Sequence, residues 1–291
     1  YVEYAISDVV DTFLDLNGLE DTSANRYAME NKLRTGGYSV YLCLDTEIQE
    51  IVEDTLANWS NYPRLRDPSD KVYQSRNSDG TYTEIEQPQA AACVFDYRTG
   101  ELKAIVGGRY KPTTRKTLNR ASGMTMPVGS SIKPLTAYAP ALDAGAVSPA
   151  TTFDNYPVRL LNGNPWPKNS PNTYTGWTSV RNGVKASINT IAVQTLEKVG
   201  VTAAYQFATE NLGLSLAPED MNVSPLGLGG LTYGLSTVEM AAAYAAFANS
   251  GVYNEPKTYV KVLANDNSTV VLEKETEQRV AMKETTAYLM T

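Results

Sequence analysis

The 291-residue sequence contains no histidine, and this absence removes several classes of active site at once. A Ser-His-Asp triad, a Cys-His pair and every metal centre with histidine ligands require the imidazole ring. A general base in this chain would therefore be a lysine, a carboxylate or a tyrosine.

Cysteine is almost as scarce, since the chain carries only Cys43 and Cys93. No Cys-x-x-Cys motif exists, which excludes a zinc ribbon and a thioredoxin-type site. Each cysteine lies in an apolar run typical of a strand. We therefore expect two buried thiols, with a disulfide between them as the alternative.

Positive charge and long apolar runs are also lacking. The formal net charge is −7, whereas a nucleic-acid-binding protein needs a basic face to neutralise phosphates, so no nucleic acid is expected as a partner. Apolar stretches such as residues 240–248 are too short to cross a bilayer. With 42% apolar and 20% charged residues, the chain has an ordinary globular composition and suits one large domain with or without a smaller piece.

The order of periodic segments predicts an α+β fold. Strand patterns cover residues 38–44 and a hairpin at 91–106, and a last hairpin pattern covers 259–273. Helical patterns dominate the middle of the chain, for example at residues 189–199. Because strands frame the helices and nothing alternates as β-α-β, the pattern does not favour a doubly wound sheet.

Residues 1–17 predict a helix with one apolar face, formed by Ile6, Val9, Val10, Phe13 and Leu14. Residues 19–35 are polar, and residues 60–87 are rich in turn-forming residues and predict an irregular loop. We interpret residues 1–35 as an interdomain linker that contains a helix, and residues 36–291 as the main domain.

A Ser-x-x-Lys motif is the strongest chemical signal in the chain. Ser130 and Lys133 share one face of a predicted helix, which begins near Ser130 and tolerates Pro134 in its first turn. The helix N-terminus favours an oxyanion, and a lysine can act as a base when burial lowers its pKa. Ser and Lys are common residues, so the alternative for the bare motif is a capping serine with a solvated lysine.

Several ordered segments together resemble one known family. Residues 119–121 (Asn-Arg-Ala) and 126–134 (Met-Pro-Val-Gly-Ser-Ser-Ile-Lys-Pro) resemble the nucleophile region of class A penicillin-binding proteins. Residues 184–193 contain Ser187-Ile188-Asn189 and are similar to that family's second motif, Ser-x-Asn. Residues 228–241 resemble its glycine-rich turn and late helix. Residues 36–49 and 91–108 resemble its first strands, so the resemblance covers nearly everything from residue 36 onward.

The resemblance implies a fold and a set of site residues. The fold would be β-lactamase/transpeptidase-like, with an antiparallel sheet and helices on both of its faces. Ser130 would be the nucleophile, Lys133 its proton acceptor, Ser187 a proton relay and Asn189 a ligand of the substrate backbone. For Ser187 and Asn189 the alternative is ordinary helix capping.

The implied function is a peptidoglycan D,D-transpeptidase that cross-links stem peptides through an acyl-enzyme and is inhibited by β-lactams. Its expected partners are stem peptides, β-lactam antibiotics and other cell-wall synthesis proteins, without a metal or organic cofactor. The expected location is the extracytoplasmic face of the bacterial membrane, with an anchor outside this chain. A β-lactam sensor domain or a serine β-lactamase-like protein would share the same residues and is the alternative function.

The family's third motif, Lys-Thr-Gly or a variant on a late strand, has no counterpart after the late helix. Residues 34–36 and 98–100 (Arg-Thr-Gly in both cases) mimic it but come too early and are better interpreted as turns. We therefore expect the domain to be incomplete at its C-terminal end, with the third motif beyond Thr291.

Overall fold

The structure is a computed structural model that describes residues 1–76, 79–112 and 114–291. The chain divides into two compact units, and each is described by itself. The first comprises Tyr1–Val94, Leu102–Gly123 and Thr258–Glu273. The second comprises Phe95–Glu101, Met124–Lys257 and Lys274–Thr291.

Helices and strands alternate irregularly along the chain. The helices are α1 (Val2–Leu16), α2 (Ser23–Thr35), α3 (Thr46–Asn58), α4 (Ala139–Asp143), α5 (Val180–Lys185), α6 (Asn189–Val199), α7 (Val201–Gln206), α8 (Val223–Leu228), α9 (Thr237–Ala248) and α10 (Glu284–Met290). The strands are β1 (Ser39–Leu42), β2 (Val72–Arg76), β3 (Tyr82–Glu86), β4 (Ala92–Phe95), β5 (Leu102–Val106), β6 (Thr152–Asn155), β7 (Arg159–Leu161), β8 (Asn164–Trp166), β9 (Gly176–Ser179), β10 (Val252–Asn254), β11 (Tyr259–Leu263), β12 (Val270–Glu273) and β13 (Gln278–Val280).

The first unit is built on a three-stranded antiparallel sheet in the order β1-β11-β12. Helices α1 and α2 cover this sheet through a shared apolar cluster, to which Val9, Phe13, Leu33, Tyr259, Val262 and Leu272 contribute buried side chains. Helix α1 buries the 3.6-residue apolar stripe that its sequence predicts. The predicted hairpins β4-β5 and β11-β12 are both present.

Two segments of the first unit are more regular than the sequence predicts. Residues 23–35 form α2, whose first turn is capped by the Thr22 hydroxyl and whose Leu33 is buried. Within residues 60–87, strands β2 and β3 pair in antiparallel register. Their side chains are mostly exposed, so the apolar alternation that would reveal strands is missing. Residues 77 and 78 of this segment lie outside the described residues.

The second unit contains the larger core, which is mainly helical. Helices α9 and α10 meet the segment that follows residue 130 around buried alanines and leucines. A capping box opens α9, where Ser236 and Glu239 exchange hydrogen bonds. Residues 152–179 contain the short antiparallel pairs β6-β9 and β7-β8. Helices and antiparallel sheets together confirm the α+β prediction.

The two cysteines of the chain are not paired with each other and differ in burial. Cys43 and Cys93 are thiols and not a disulfide; Cys43 is buried, but Cys93 is only partly buried. Burial raises the pKa of the Cys93 thiol to about 11. Among the helices formed by residues that the structure describes, none is long and apolar enough to cross a membrane.

Candidate active site

Ser130 lies in a tight turn that opens a composite helix. Residues Gly129–Ile132 form one turn of 3₁₀ helix, Pro134–Tyr138 form a wide π turn, and α4 continues the direction. The sequence predicts an ordinary helix here. Pro134 has no N–H to donate to the first turn, which fits the irregular hydrogen bonding. The turn leaves Ser130 exposed while Ile132 is fully buried.

Lys133 is buried next to the exposed serine, with only 1% of its surface accessible. Its Nζ donates hydrogen bonds to the Ser187 carbonyl at 2.8 Å, the Ser187 hydroxyl at 3.2 Å and Asn189 Oδ1 at 2.5 Å. All three acceptors are uncharged. Burial therefore lowers the pKa of Lys133 from 10.5 to about 8. Lys133 is therefore not the solvated lysine that was the alternative interpretation of this motif.

Ser187 and Asn189 reach Lys133 from the junction of α5 and α6. Ser187 has a positive φ of 53°, which turns its carbonyl and hydroxyl together toward the lysine. Such a conformation is uncommon outside glycine. Helix α6 has Ile188 at its N-cap and no capping side chain from that residue. Neither Ser187 nor Asn189 caps α6, so the capping alternative does not describe this junction.

The structure brings the side chains of Lys133, Ser187 and Asn189 together, and the backbone N–H of Lys133 donates to the Ser130 carbonyl. In the described part of the molecule, no hydrogen bond connects Ser130 Oγ with Lys133 Nζ. Catalytic hydrogen bonds in ligand-free enzymes are often long and tighten when substrate binds. The Asn189 side chain makes a second hydrogen bond, in which its Nδ2 donates to the Lys168 carbonyl at 2.6 Å.

The glycine-rich segment after α8, residues 229–235, packs its backbone against residues 126–129, which lead into the Ser130 turn. Met126 and Leu235 exchange backbone hydrogen bonds at 3.1 and 3.0 Å. A Cβ on Gly229 would overlap the carbonyl of Gly129, and a Cβ on Gly234 would overlap the backbone of Met126. The sequence identified this segment only by resemblance. The structure gives the reason for Gly229 and Gly234, which is the close approach of two backbones.

Asp220 anchors the same segment, and sequence reasoning missed it. The carboxylate is 1% exposed and accepts hydrogen bonds from Ala217 N at 3.1 Å, Thr232 N at 2.8 Å and Thr232 Oγ1 at 2.8 Å. Its sequence neighbours are turn-forming and polar, so only the fold distinguishes this aspartate from an exposed one. Across the described residues, no group of three or more Cys, Asp or Glu side chains is arranged to hold a metal ion.

The sequence family described as penicillin binding protein transpeptidase domain matches residues 90–291, which include all four site residues. The chain belongs to this family. Penicillin-binding protein 1A of Clostridium acetobutylicum is 35% identical over 272 residues, which cover 90% of this chain and 32% of that protein. Penicillin-binding protein 1A of Clostridium botulinum strain Hall is 33% identical over 271 residues, or 90% and 30%. The chain therefore spans about a third of these curated relatives.

A solved structure has the same fold as this penicillin-binding protein chain. PonA1 from Mycobacterium tuberculosis, in complex with penicillin V, matches with a TM-score of 0.72 and 20% identity over 98% of this chain and 68% of that one. The resemblance to class A transpeptidase domains and the β-lactamase/transpeptidase-like fold expected from the sequence are both confirmed.

Proposed function

We propose that this chain carries the peptidoglycan D,D-transpeptidase site of a class A penicillin-binding protein, with Ser130 as its nucleophile. The observation that carries the proposal is the buried Lys133 amine, three residues after an exposed serine and bonded to the Ser-x-Asn motif. Family membership supports the reaction class. The curated relatives are penicillin-binding proteins, and the PonA1 structure contains penicillin V.

The proposed first half-reaction is acylation of Ser130. Neutral Lys133 accepts the proton of Ser130 Oγ, which attacks the carbonyl carbon between the last two D-alanines of a stem peptide. The C–N bond breaks, and D-alanine leaves with a proton delivered through Ser187. Asn189 has a second N–H on Nδ2 for a substrate carbonyl. The product is an ester between Ser130 and the shortened peptide.

In the second half-reaction, an amine of a neighbouring stem peptide attacks the ester carbon. The amide cross-link forms, the bond to Ser130 Oγ breaks, and the proton of the amine returns to the serine. Lowering the pKa of Lys133 to about 8 leaves about one amine in ten neutral at pH 7, against fewer than one in a thousand at an unshifted pKa. Burial thus supplies a base where the chain has no histidine.

Intact-protein mass spectrometry after incubation with benzylpenicillin tests the nucleophile. The wild type and a Ser131→Ala variant should each gain the mass of one penicillin, and Ser130→Ala should gain none. Ser131 is the matched control because it is exposed and adjacent. An unmodified wild type in a sample shown to be folded would contradict the proposed acylation, and an adduct that persists in Ser130→Ala would assign it to another residue.

Two activity assays separate the proposed reaction from its alternatives. Release of D-alanine from a stem-peptide mimic is expected of a transpeptidase. Steady hydrolysis of a chromogenic cephalosporin would instead indicate a β-lactamase, and a stable adduct without D-alanine release would indicate a β-lactam sensor.

The proposal extends to the surroundings of the site. It includes stem peptides and other cell-wall synthesis proteins as partners, and a location on the extracytoplasmic face of the membrane with an anchor outside these 291 residues. The boundary between a linker at residues 1–35 and the domain at residues 36–291 stays a prediction. So does a third motif beyond Thr291.

A further inference from the structure

Asn155 is a buried polar residue that neither the motifs nor the proposed reaction uses. It ends β6 and is 2% exposed. Its Oδ1 accepts hydrogen bonds from Asn169 Nδ2 at 2.7 Å and from Thr190 Oγ1 at 2.6 Å, and its Nδ2 donates to Thr175 Oγ1 at 3.0 Å. A buried amide is costly unless it is bonded in this way, so these partners fix its orientation.

Asn169 supplies the cap that α6 lacks. The first N–H groups of a helix have no intrahelical partner, and Ile188 at the N-cap offers no side-chain acceptor. Asn169 Oδ1 accepts from Thr190 N at 3.2 Å instead, from 21 positions upstream in sequence. Asn155, Asn169 and Thr190 are therefore each bonded to the other two. We call these three residues the polar triangle.

Two residues that directly precede members of the polar triangle connect it to Lys133. Lys168 comes directly before Asn169, Asn189 comes directly before Thr190, and Asn189 Nδ2 donates to the Lys168 carbonyl. A carbonyl can only accept, so the Asn189 amide must present its N–H there. The amide oxygen then points the other way, toward Lys133 Nζ.

We propose that the polar triangle is a positioning device that sets the Ser187 and Asn189 acceptors around the Lys133 amine. A fully bonded buried network favours a single arrangement of the elements that it joins. Here it fixes the start of α6 and the Lys168–Asn169 segment on each other. Asn155, Asn169 and Thr190 are positioning residues that do not touch the reacting atoms. The inference rests on the proposed function for its catalytic meaning.

Two threonines on α6 provide a matched pair for the test. Thr190 and Thr195 are both fully buried, but the Thr195 hydroxyl has no hydrogen-bond partner in the described structure, whereas that of Thr190 bonds Asn155. Valine keeps the shape of threonine and removes the hydroxyl. The variants are therefore Thr190→Val, Thr195→Val as control, and Thr190→Ser as the conservative rescue.

Two quantities are measured on the full chain of each variant. The first is the titration of the Lys133 amine by NMR with isotope-labelled lysine, with Lys133→Met used to assign the signal. The second is the rate of acylation by benzylpenicillin, measured at neutral and alkaline pH. A change in overall stability alone would not move the lysine titration.

We expect Thr190→Val to raise the Lys133 titration midpoint by about half a pH unit or more. Without the Thr190 hydroxyl, the start of α6 packs less tightly over the Lys133 amine, and water reaches the amine. Acylation at neutral pH should fall about threefold or more, and the difference should shrink at alkaline pH. Thr190→Ser and Thr195→Val should behave like the wild type.

An unchanged Lys133 titration in Thr190→Val, or an equal shift in Thr195→Val, would overturn the inference. Failure of the proposed function gives a different result, which is a folded wild type that penicillin does not acylate. The lysine titration then still decides whether the polar triangle positions the acceptors.

Discussion

At the residue scale, Lys133 is set apart from ordinary lysines by what surrounds it. Its ammonium is bonded to a carbonyl, a hydroxyl and an amide oxygen, and to no carboxylate in the described structure. A carboxylate partner would stabilise the charged form and keep the amine protonated. Neutral acceptors hold the side chain in place while burial still lowers its pKa, which is what a lysine base needs.

The pH dependence of acylation tests this environment. In the proposed reaction the neutral Lys133 amine is the base, and its fraction rises as pH rises through about 8. The second-order rate constant for acylation by benzylpenicillin should therefore increase with pH and level off above that value. In Lys133→Arg the guanidinium keeps its proton, so acylation should be lost at every pH tested. A rate independent of pH between about 6 and 10 would contradict Lys133 as the base.

At the element scale, the turn that carries Ser130 is held by close backbone contacts. The glycine-rich segment packs its backbone on residues 126–129, and Tyr244 of α9 donates a hydrogen bond to the Ser131 carbonyl at 2.7 Å. Side chains on the facing residues would push the two segments apart. The position of Ser130 therefore depends on elements that carry none of the four candidate site residues.

Adjacent glycines allow a direct test of that packing. Gly229→Ala places a Cβ against Gly129 at a φ of +80°, so it should cut the acylation rate about tenfold or more and lower the melting temperature. Gly230→Ala meets no atom within 4 Å and should change both little. Equal effects of the two substitutions would show that close approach at Gly229 does not position the nucleophile.

Asp220 makes a second prediction at the element scale. Asp220→Asn replaces one acceptor oxygen by an N–H that faces existing donors, so we expect a loss of roughly 1–3 kcal/mol in the free energy of unfolding. Glu219→Gln, at the exposed neighbouring position, should stay within about 0.5 kcal/mol. Urea denaturation of both variants measures the difference, and a neutral Asp220→Asn would contradict the anchoring role.

At the scale of the whole molecule, the N-terminal residues belong to the core of the first unit. Helices α1 and α2 bury Val9, Phe13 and Leu33 against the three-stranded sheet. Asp8 also accepts hydrogen bonds from both the backbone N–H and the hydroxyl of Thr258, at 3.1 and 2.6 Å. Residues from both α1 and α2 are therefore part of the core of this unit.

Two positions on α1 test that contribution. Phe13→Ala removes a ring that is 2% exposed and should cost about 3–5 kcal/mol in the free energy of unfolding, because a cavity opens beneath the sheet. Leu16→Ala, at a side chain that is 68% exposed on the same helix, should cost less than about 0.5 kcal/mol. Hydrogen exchange of the β11 amides would locate the effect in the first unit. Equal stability of the two variants would mean that α1 is dispensable to the core.

Much of this molecule follows from local sequence. The apolar stripe of α1, the capping box of α9 and the β11-β12 hairpin are determined by spacing and turn residues, which act over a few positions. The family, the α+β fold and the identities of Ser130, Lys133, Ser187 and Asn189 as candidates likewise followed from motifs in a fixed order. The missing histidine restricted the base to few residue types.

The tertiary structure decided what depends on residues distant in sequence. The burial of Lys133, the positive φ of Ser187 and the overlap that requires Gly229 arise from segments that meet only in the fold. The polar triangle joins positions 155, 169 and 190, which no local pattern connects. Helix α2 is weakly amphipathic, and packing of Leu33 adds what its sequence lacks. The sequence identifies the candidate reactive groups. Their protonation and geometry depend on packing, because desolvation and orientation are determined by neighbours in space.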